Sequence, residues 1–374
     1  MSDASTGSTR GASPRGAVGP LALIKHLREE GFTALDAATG EPLGTVGTGR
    51  QPHAVVVHPS GRWAYVPYMG SGTIEVVDLQ ELSVTTTVEA ITAPVGAALA
   101  GDRLLVGTYG PLPGVTAPGL AVFETDATTG DLRLVDELEL GRCAGIVVDG
   151  TGGVWAALKE DDTVVRLSAD GDDLSVRERI HVPAGPQGMR YAPEYDIVGV
   201  DCVEGDAVAF LEADGGGLLG VVDAPNPRSG AVVPDHDRWF VSDTEGDGLT
   251  VVDLATMGDD TITDRVFLGT PTAFTDARPD GSLVVADAED DDRVTFLDPA
   301  GPTVVSRVQT GERPHHARFT ADGETCYVPN AGADTVSVLD VTDRADAVER
   351  TAEISVFEGA APSGCYLTDR RRKR

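Results

Sequence analysis

The sequence predicts an all-β protein, an eight-bladed β-propeller built from four-stranded antiparallel blades. A repeat of about 42 residues runs down the chain, and each copy contains four short alternating strands separated by turn residues. Seven copies are complete, and the two chain ends supply the parts of one more. This period is typical of one propeller blade, and helical periodicity is nearly absent.

The first complete copy gives the pattern of a blade. In GRQPHAVVVHPSGRWAYVPYMGSGTIEVVDL (residues 49–79), a proline precedes an apolar alternating strand and PSGR forms the next turn. The strands WAYVPY and TIEVVD follow. Third strands ending in aspartate mark several copies, at Asp78, Asp253, Asp298 and Asp340. Because one four-stranded sheet cannot bury both of its faces, the blades must stack into a ring.

The chain ends decide the number of blades. Residues 21–49 correspond to strands two to four of a copy that lacks its first strand, and residues 361–369 correspond to a single first strand. Joining one C-terminal with three N-terminal strands closes the ring and removes exposed sheet edges. Seven blades remain the alternative if one weak copy is an insertion. We therefore expect a disordered leader (1–20), one propeller domain (21–369) and a basic tail (370–374) outside the sheet.

Composition excludes several functions. Sixty acidic residues face 29 basic ones, giving a formal charge of −31. Such a field repels phosphates and argues against nucleic-acid binding, and it resembles the acidic surfaces of halophilic proteins. Four scattered cysteines form no C-x-x-C motif, so they predict core residues rather than a zinc or c-type haem site. No apolar stretch could span a membrane and no signal peptide is seen, so we expect a cytoplasmic location.

The position after the proline that precedes each first strand should face the mouth of the central channel. Small residues dominate there and at the next position because inner strands crowd together. The departures are His53, Arg228, His315 and the adjacent His316. A neutral imidazole can ligate a metal or haem iron, or transfer protons near neutral pH. The alternative is that each histidine is a turn residue bonded to a backbone carbonyl.

One acidic run could suggest a cation site. DAEDDD (residues 287–292) is rich in carboxylates but lacks the glycine spacing of a calcium-binding loop. We therefore expect a solvated turn at this position.

Several stretches resemble known propellers. CYVPNAGADTVSVLD (residues 326–340) resembles the YVTN-type repeat. HLREEGFTALDAATGEPLGTV (26–46) with PHAVVVHPSGRWAYV (52–66), and APSGCYLTDRR (361–371), resemble the haem d1-binding propellers of cytochrome cd1 nitrite reductases and NirF-type biosynthesis proteins. The resemblance implies haem d1 or a related tetrapyrrole as cofactor. It places His53 at the haem-iron ligand and Arg28 at an arginine that pairs with macrocycle carboxylates.

Departures from that group limit the function. PYMGSG (residues 67–72) replaces the usual Gly-Arg-Asp, Ser229 aligns with the distal catalytic histidine, and no haem c domain is seen. The expected function is therefore tetrapyrrole binding in cofactor biosynthesis or transfer, leaning away from enzymatic activity, and not nitrite reduction. A non-enzymatic platform for a protein or ligand is one alternative. A lactonase-like hydrolase is another, because GTYGPLPG (residues 107–114) resembles that propeller family.

Overall fold

The computed structural model describes residues 19–89, 91–170, 173–258, 261, 263–342, 348–356 and 359–368. Thirty-two strands, β1 to β32, form eight four-stranded antiparallel sheets. The predicted eight-bladed propeller is confirmed. The predicted leader lies outside the described residues except for its last two positions, and the predicted basic tail lies wholly outside them.

One blade joins the two chain ends, as predicted. Its strand order is β3-β2-β1-β32. The C-terminal strand pairs with β1 from Ala22 opposite Leu367 to Lys25 opposite Gly364. The four strands of this composite blade are β1 (Leu21–His26), β2 (Glu30–Asp36), β3 (Pro42–Arg50) and β32 (Pro362–Leu367).

The other seven blades each use four consecutive strands. Blades two to four contain β4 (Val56–Val57), β5 (Trp63–Tyr68), β6 (Thr73–Asp78), β7 (Ser83–Val88), β8 (Pro94–Ala100), β9 (Arg103–Thr108), β10 (Gly119–Thr125), β11 (Leu132–Glu139), β12 (Cys143–Val148), β13 (Val154–Leu158), β14 (Thr163–Asp170) and β15 (Asp173–His181). Blades five and six contain β16 (Pro186–Ala192), β17 (Ile197–Cys202), β18 (Ala207–Glu212), β19 (Leu218–Asp223), β20 (Gly230–Val233), β21 (Arg238–Ser242), β22 (Gly248–Asp253) and β23 (Thr263–Phe267). Blades seven and eight contain β24 (Thr275–Ala277), β25 (Val284–Ala288), β26 (Arg293–Asp298), β27 (Thr303–Gln309), β28 (Arg318–Phe319), β29 (Thr325–Asn330), β30 (Thr335–Asp340) and β31 (Glu349–Ser355).

The hydrophobic core lies between neighbouring blades. Phe210 of blade five packs edge-on against Trp239 of blade six, with 5.3 Å between ring centroids. At the closure, Tyr327 of blade eight packs in one cluster with Ile24 and Cys365 of the composite blade. All four cysteines are buried and outside any disulfide, in agreement with their predicted core role. Burial against both neighbours is what makes the individual sheets stable.

The first strand of each blade is the inner one, and successive inner strands contact each other around the axis. Their crowding explains the small residues predicted there. Gly96 abuts the carbonyl oxygen of Ala144 on the next inner strand, and Gly145 abuts that of Gln187. A side chain at either glycine would collide with backbone, so glycine is required by close approach.

The prediction of a solvated acidic turn is wrong for its first residue. Asp287 belongs to β25 and is fully buried, whereas Glu289–Asp291 form a partly exposed 3₁₀ turn. Strand β25 extends further than the composition suggested. The Asp287 backbone N–H bonds the carbonyl of Phe274, which brings the carboxylate beside the inner strands.

No helix in the described part of the chain is long and apolar enough to cross a membrane.

Candidate functional site

The candidate site lies at one mouth of the central channel, where loops lead into the inner strands. Leu27 N–H donates to the carbonyl of Ala360 at 3.0 Å, so the β1–β2 turn lies beside the loop before β32. His53 precedes β4 on one side of this turn in the ring. His315 and His316 precede β28 on the other side. The composite blade therefore separates two histidine-bearing loops at the same end of the channel.

His53 is fixed by three blades. Its N–H donates to the Pro67 carbonyl at 3.0 Å, and its own carbonyl accepts from the Tyr366 hydroxyl at 3.1 Å. The ring also hydrogen-bonds the backbone of Val95 in the next blade. His53 is exposed to solvent although these contacts hold it against the neighbouring blades. This partial desolvation, with the nearby Lys25 charge, lowers the pKa of His53 to about 4 despite the Val95 bond. The ring is therefore neutral near pH 7.

Lys25 is a site residue that the sequence reasoning missed. It lies on β1 opposite Gly364 of the inner strand β32, and a Cβ at Gly364 would lie 2.7 Å from Lys25 Cε. The lysine side chain therefore fills the gap that glycine leaves and reaches the mouth, where Nζ lies 3.5 Å from the His53 carbonyl oxygen. Burial lowers the pKa of Lys25 to about 8. Only three lysines occur in the chain, and this scarcity is the feature of the sequence that could have drawn attention to Lys25.

His315 and His316 form the second half of the histidine group. His315 Nδ1 bonds the Ser363 carbonyl at 2.9 Å, and Nε2 lies 3.6 Å from a carboxylate oxygen of Glu289. His316 has a left-handed backbone with φ of 57°, and its N–H donates to Asp287 Oδ2 at 2.5 Å. The Phe274 ring stands edge-on to the His316 ring, with 3.5 Å between centroids.

The histidines share one cationic environment. Burial lowers the pKa of His315 to about 3, and the Lys25 charge acts in the same direction. Burial also holds the pKa of His316 well below its usual value, with further contributions from His315, Lys25 and, more weakly, His53. These couplings require that the two histidine-bearing loops and Lys25 lie near one another. All three imidazoles are therefore neutral at physiological pH.

The predicted arginines are placed differently. Arg228 lies near enough to His315 to affect its pKa, and its backbone N–H donates to Ser242 Oγ at 3.2 Å. Arg28 lies in the exposed β1–β2 turn, and its backbone N–H lies 3.3 Å from the Ala360 carbonyl oxygen. Among the described residues, no hydrogen bond or ion pair connects the Arg28 side chain with His53. Lys25, three positions earlier, makes that contact instead. The ligand-binding roles of His53, Arg28, Arg228, His315 and His316 stay predictions.

An acid occupies the equivalent position on the opposite side of the ring. Asp201 on β17 pairs with Gly188 of the inner strand β16, and its carboxylate occupies the space where a Gly188 side chain would project. Blade five lies four positions from the composite blade, so Asp201 lies across the channel from Lys25. Burial raises the pKa of Asp201 to about 7, although the Arg190 charge opposes this.

The mouth does not contain a preformed metal cage. Within the described ranges, no group of three or more histidine, cysteine, aspartate or glutamate side chains is placed to hold a metal ion.

Comparison with known proteins gives similarity to two groups of propellers. A family model described as lactonase, seven-bladed β-propeller, matches residues 274–364, about a quarter of the chain. No curated protein matches. Dihydro-haem d1 dehydrogenase NirN in complex with DHE is a similar solved structure, with a TM-score of 0.75 and 19% identity over 96% of this chain and 77% of that one.

The second group consists of lactonase structures. The periplasmic gluconolactonase PpgL of Pseudomonas aeruginosa has a TM-score of 0.59 and 16% identity over 93% of this chain and 99% of that one. A proposed 6-phosphogluconolactonase of Bacteroides fragilis has a TM-score of 0.63 and 15% identity over 96% of this chain and all of that one. At such identities the likenesses show the propeller fold alone. The protein is thus an eight-bladed propeller with neutral imidazoles and a lysine at one channel mouth.

Proposed function

We propose that the protein binds a tetrapyrrole of the haem d1 type at this mouth and acts in the synthesis or transfer of that cofactor. One observation carries the proposal. His53 is neutral, open to the channel, and held by a backbone hydrogen bond through its ring, with Lys25 and two further imidazoles beside it. The likeness of the fold to NirN supports the same ligand class.

The residues at the mouth suit such a ligand chemically. A ring nitrogen of His53 bonds the Val95 backbone, and this bond orients the ring so that the other nitrogen can ligate iron. Lys25 and Arg228 would hold carboxylates, and Phe274 offers an aromatic ring edge beside His316. Haem d1 would supply the redox-active iron and the conjugated ring. The chain's own contribution would be to orient the macrocycle, neutralise its carboxylates and protect it from water.

Titration with haem d1 or its dihydro precursor tests the proposal. A shift of the visible absorption bands at one equivalent is expected for the wild-type protein. His53→Ala should remove the axial-ligand shift, while His58→Ala provides a matched control. His58 is a buried blade-turn histidine bonded to Ser60, away from the loops before the inner strands. Identical spectra for wild type and His53→Ala would contradict the ligand role. No binding at all would contradict the whole proposal.

A lactonase activity is the second candidate, and one observation favours it. The segment that matches the lactonase model contains Asp287, Glu289, His315 and Arg318. Glu289 lies 3.6 Å from His315, and Arg318 lies 3.1 Å from Asp276. The Arg318 charge also acts on Asp287 and His316, so acid, imidazole and guanidinium groups lie near one another at the mouth. An assay of 6-phosphogluconolactone or gluconolactone hydrolysis, monitored through the protons released, tests this candidate. His315→Gln should abolish any such activity, and proton release no faster than the uncatalysed rate would exclude it.

The histidine contacts also fit a platform without chemistry. His315 is bonded to the Ser363 carbonyl and His53 to the Val95 backbone, which is the arrangement expected of structural turn histidines. If this protein binds neither a tetrapyrrole nor a lactone, the role of a non-enzymatic binding platform is the one that remains.

A further inference from the structure

The cations at the mouth divide into paired and unpaired groups. Arg318 forms an ion pair with Asp276 at 3.1 Å, and Arg313 forms one with Glu289 at 3.0 Å. Lys25 forms no ion pair with any carboxylate in the described part of the chain, and its one hydrogen bond, to the His53 carbonyl, is long at 3.5 Å. In a chain with 60 acidic residues, an unpaired and half-buried lysine is an exception that stability alone does not explain.

The path of this side chain depends on Gly364. Lys25 Cγ and Cδ lie 3.1 Å, and Cε 2.7 Å, from the position where a Cβ of Gly364 would stand. A side chain at residue 364 would therefore displace the lysine. The acids nearest the mouth are engaged elsewhere: Asp287 accepts the His316 N–H and Glu289 contacts Arg313 and His315. The Lys25 charge acts on the imidazoles of His53, His315 and His316. The Tyr366 hydroxyl donates to the same His53 carbonyl oxygen that Lys25 Nζ contacts.

We propose that Lys25 is an anion-binding residue of the channel mouth, which reaches through the gap beside Gly364 to bind a carboxylate or phosphate group of the ligand. The inference rests on the proposed function only in that the ligand enters at this mouth, and it applies equally to a carboxylated tetrapyrrole and to a phosphorylated sugar acid. The anion would replace the missing counter-ion. Charge-assisted hydrogen bonds are strong where water is partly excluded. A neutral ester of the same ligand would gain nothing from Lys25.

The three lysines make a direct test possible. Reductive methylation with ¹³C-formaldehyde labels Lys25, Lys159 and Lys373 as dimethyl-lysines that keep their charge, and Lys25→Met assigns the first signal. The probes are inorganic phosphate, metal-free coproporphyrin and the tetramethyl ester of coproporphyrin. Phosphate and coproporphyrin should shift the Lys25 signal and raise its pKa, because an anion favours the ammonium form. The ester should not raise it. The Lys159 signal, whose ammonium lies 3.5 Å from Glu204, is the internal reference.

Two variants separate the effect of the lysine charge from the effect of the gap beside Gly364. Lys25→Met removes the charge and should weaken coproporphyrin binding by about tenfold to a hundredfold, the value of one charge-assisted hydrogen bond. Gly364→Ala keeps the charge but blocks the gap, and should weaken binding to a similar extent. Gly188→Ala is the matched control, because it crowds Asp201 at the equivalent position across the ring. It should leave the Lys25 response in place.

The outcomes distinguish this inference from the proposed function. Coproporphyrin binding with no movement of the Lys25 signal, or equal binding by Lys25→Met, overturns the inference but not the tetrapyrrole proposal. A Lys25 response to phosphate without any tetrapyrrole binding supports the inference and contradicts the tetrapyrrole proposal. If Gly364→Ala does not fold, the comparison of Lys25→Met with wild type decides alone.

Discussion

Lys25→Met should make the protein more stable at neutral pH. Methionine has a similar length and fills the same gap beside Gly364 without a charge. In the folded protein, burial lowers the pKa of Lys25 from 10.5 to about 8, so folding disfavours the ammonium that the lysine carries at pH 7. Each unit of difference corresponds to 1.36 kcal/mol. The unpaired charge therefore reduces the free energy of unfolding by up to about 3 kcal/mol, and partial solvation lowers this figure.

The pH dependence has a definite sign. Below pH 8 the lysine is protonated in both states, so the full penalty applies to the folded wild type. Between pH 8 and 10.5 the folded lysine loses its proton while the unfolded one keeps it, and the penalty disappears. The advantage of Lys25→Met over wild type should therefore be largest near pH 7 and should shrink by up to about 3 kcal/mol at pH 10.5.

Urea unfolding at fixed salt, followed by tryptophan fluorescence at pH 7 and pH 10.5, measures this difference. Comparing wild type with the variant at each pH cancels the titration of other groups. Lys159→Met is the control, because its ammonium has Gln187 at 3.3 Å and Glu204 at 3.5 Å and should bring no gain. A variant that is less stable than wild type by the same amount at both pH values would refute the reasoning, since Lys25 would then contribute packing rather than an uncompensated charge.

Three further changes follow from the same geometry. Asp201→Asn should stabilise the protein above pH 7 by up to about 4 kcal/mol and have no effect below pH 4, because burial raises the pKa of Asp201 from 3.8 to about 7 and folding therefore opposes its ionisation. Urea unfolding at the two pH values measures this, and an equal effect at both would contradict it. His315→Asn should reduce the loss of stability between pH 6.5 and 4, because the lowered pKa of His315 lets only the unfolded state take up a proton in that range. Acid unfolding that is the same for the variant and the wild type would contradict this prediction. Tyr366→Phe removes the hydroxyl that donates to the His53 carbonyl and should cost about 1 kcal/mol, measured by thermal unfolding; no loss would mean that water replaces the bond.

The fold could be predicted because it depends on local patterns that repeat. Alternation and turn residues recur from copy to copy, third-strand aspartates mark several copies, and the missing strand at one end matches the extra strand at the other. The pairing of Ala22 with Leu367 follows from that match. Ring closure requires no knowledge of individual side-chain contacts.

The site could be predicted only in part. Histidines next to the entering prolines stand out in sequence because small residues surround them. Lys25 and Asp201 do not stand out, because they lie on second strands whose side chains normally enter the core between blades. Their access to the channel depends on a glycine in register on the inner strand, Gly364 or Gly188. Asp287 was misassigned for a related reason, since the composition of its run does not say where the strand ends.

Stability and function make opposite demands on Lys25. If the residue served the fold, replacing it by methionine would destabilise the protein, and the lysine would have a carboxylate partner among the many available. Instead the second strand of the composite blade places a charge against the channel, and the inner strand leaves the gap that this side chain needs. A variant that gains stability and loses anion binding would identify Lys25 as a functional residue, because natural sequences depart from local stability mainly at such sites. Gain of stability with unchanged binding would leave an unpaired lysine that neither the fold nor the ligand explains.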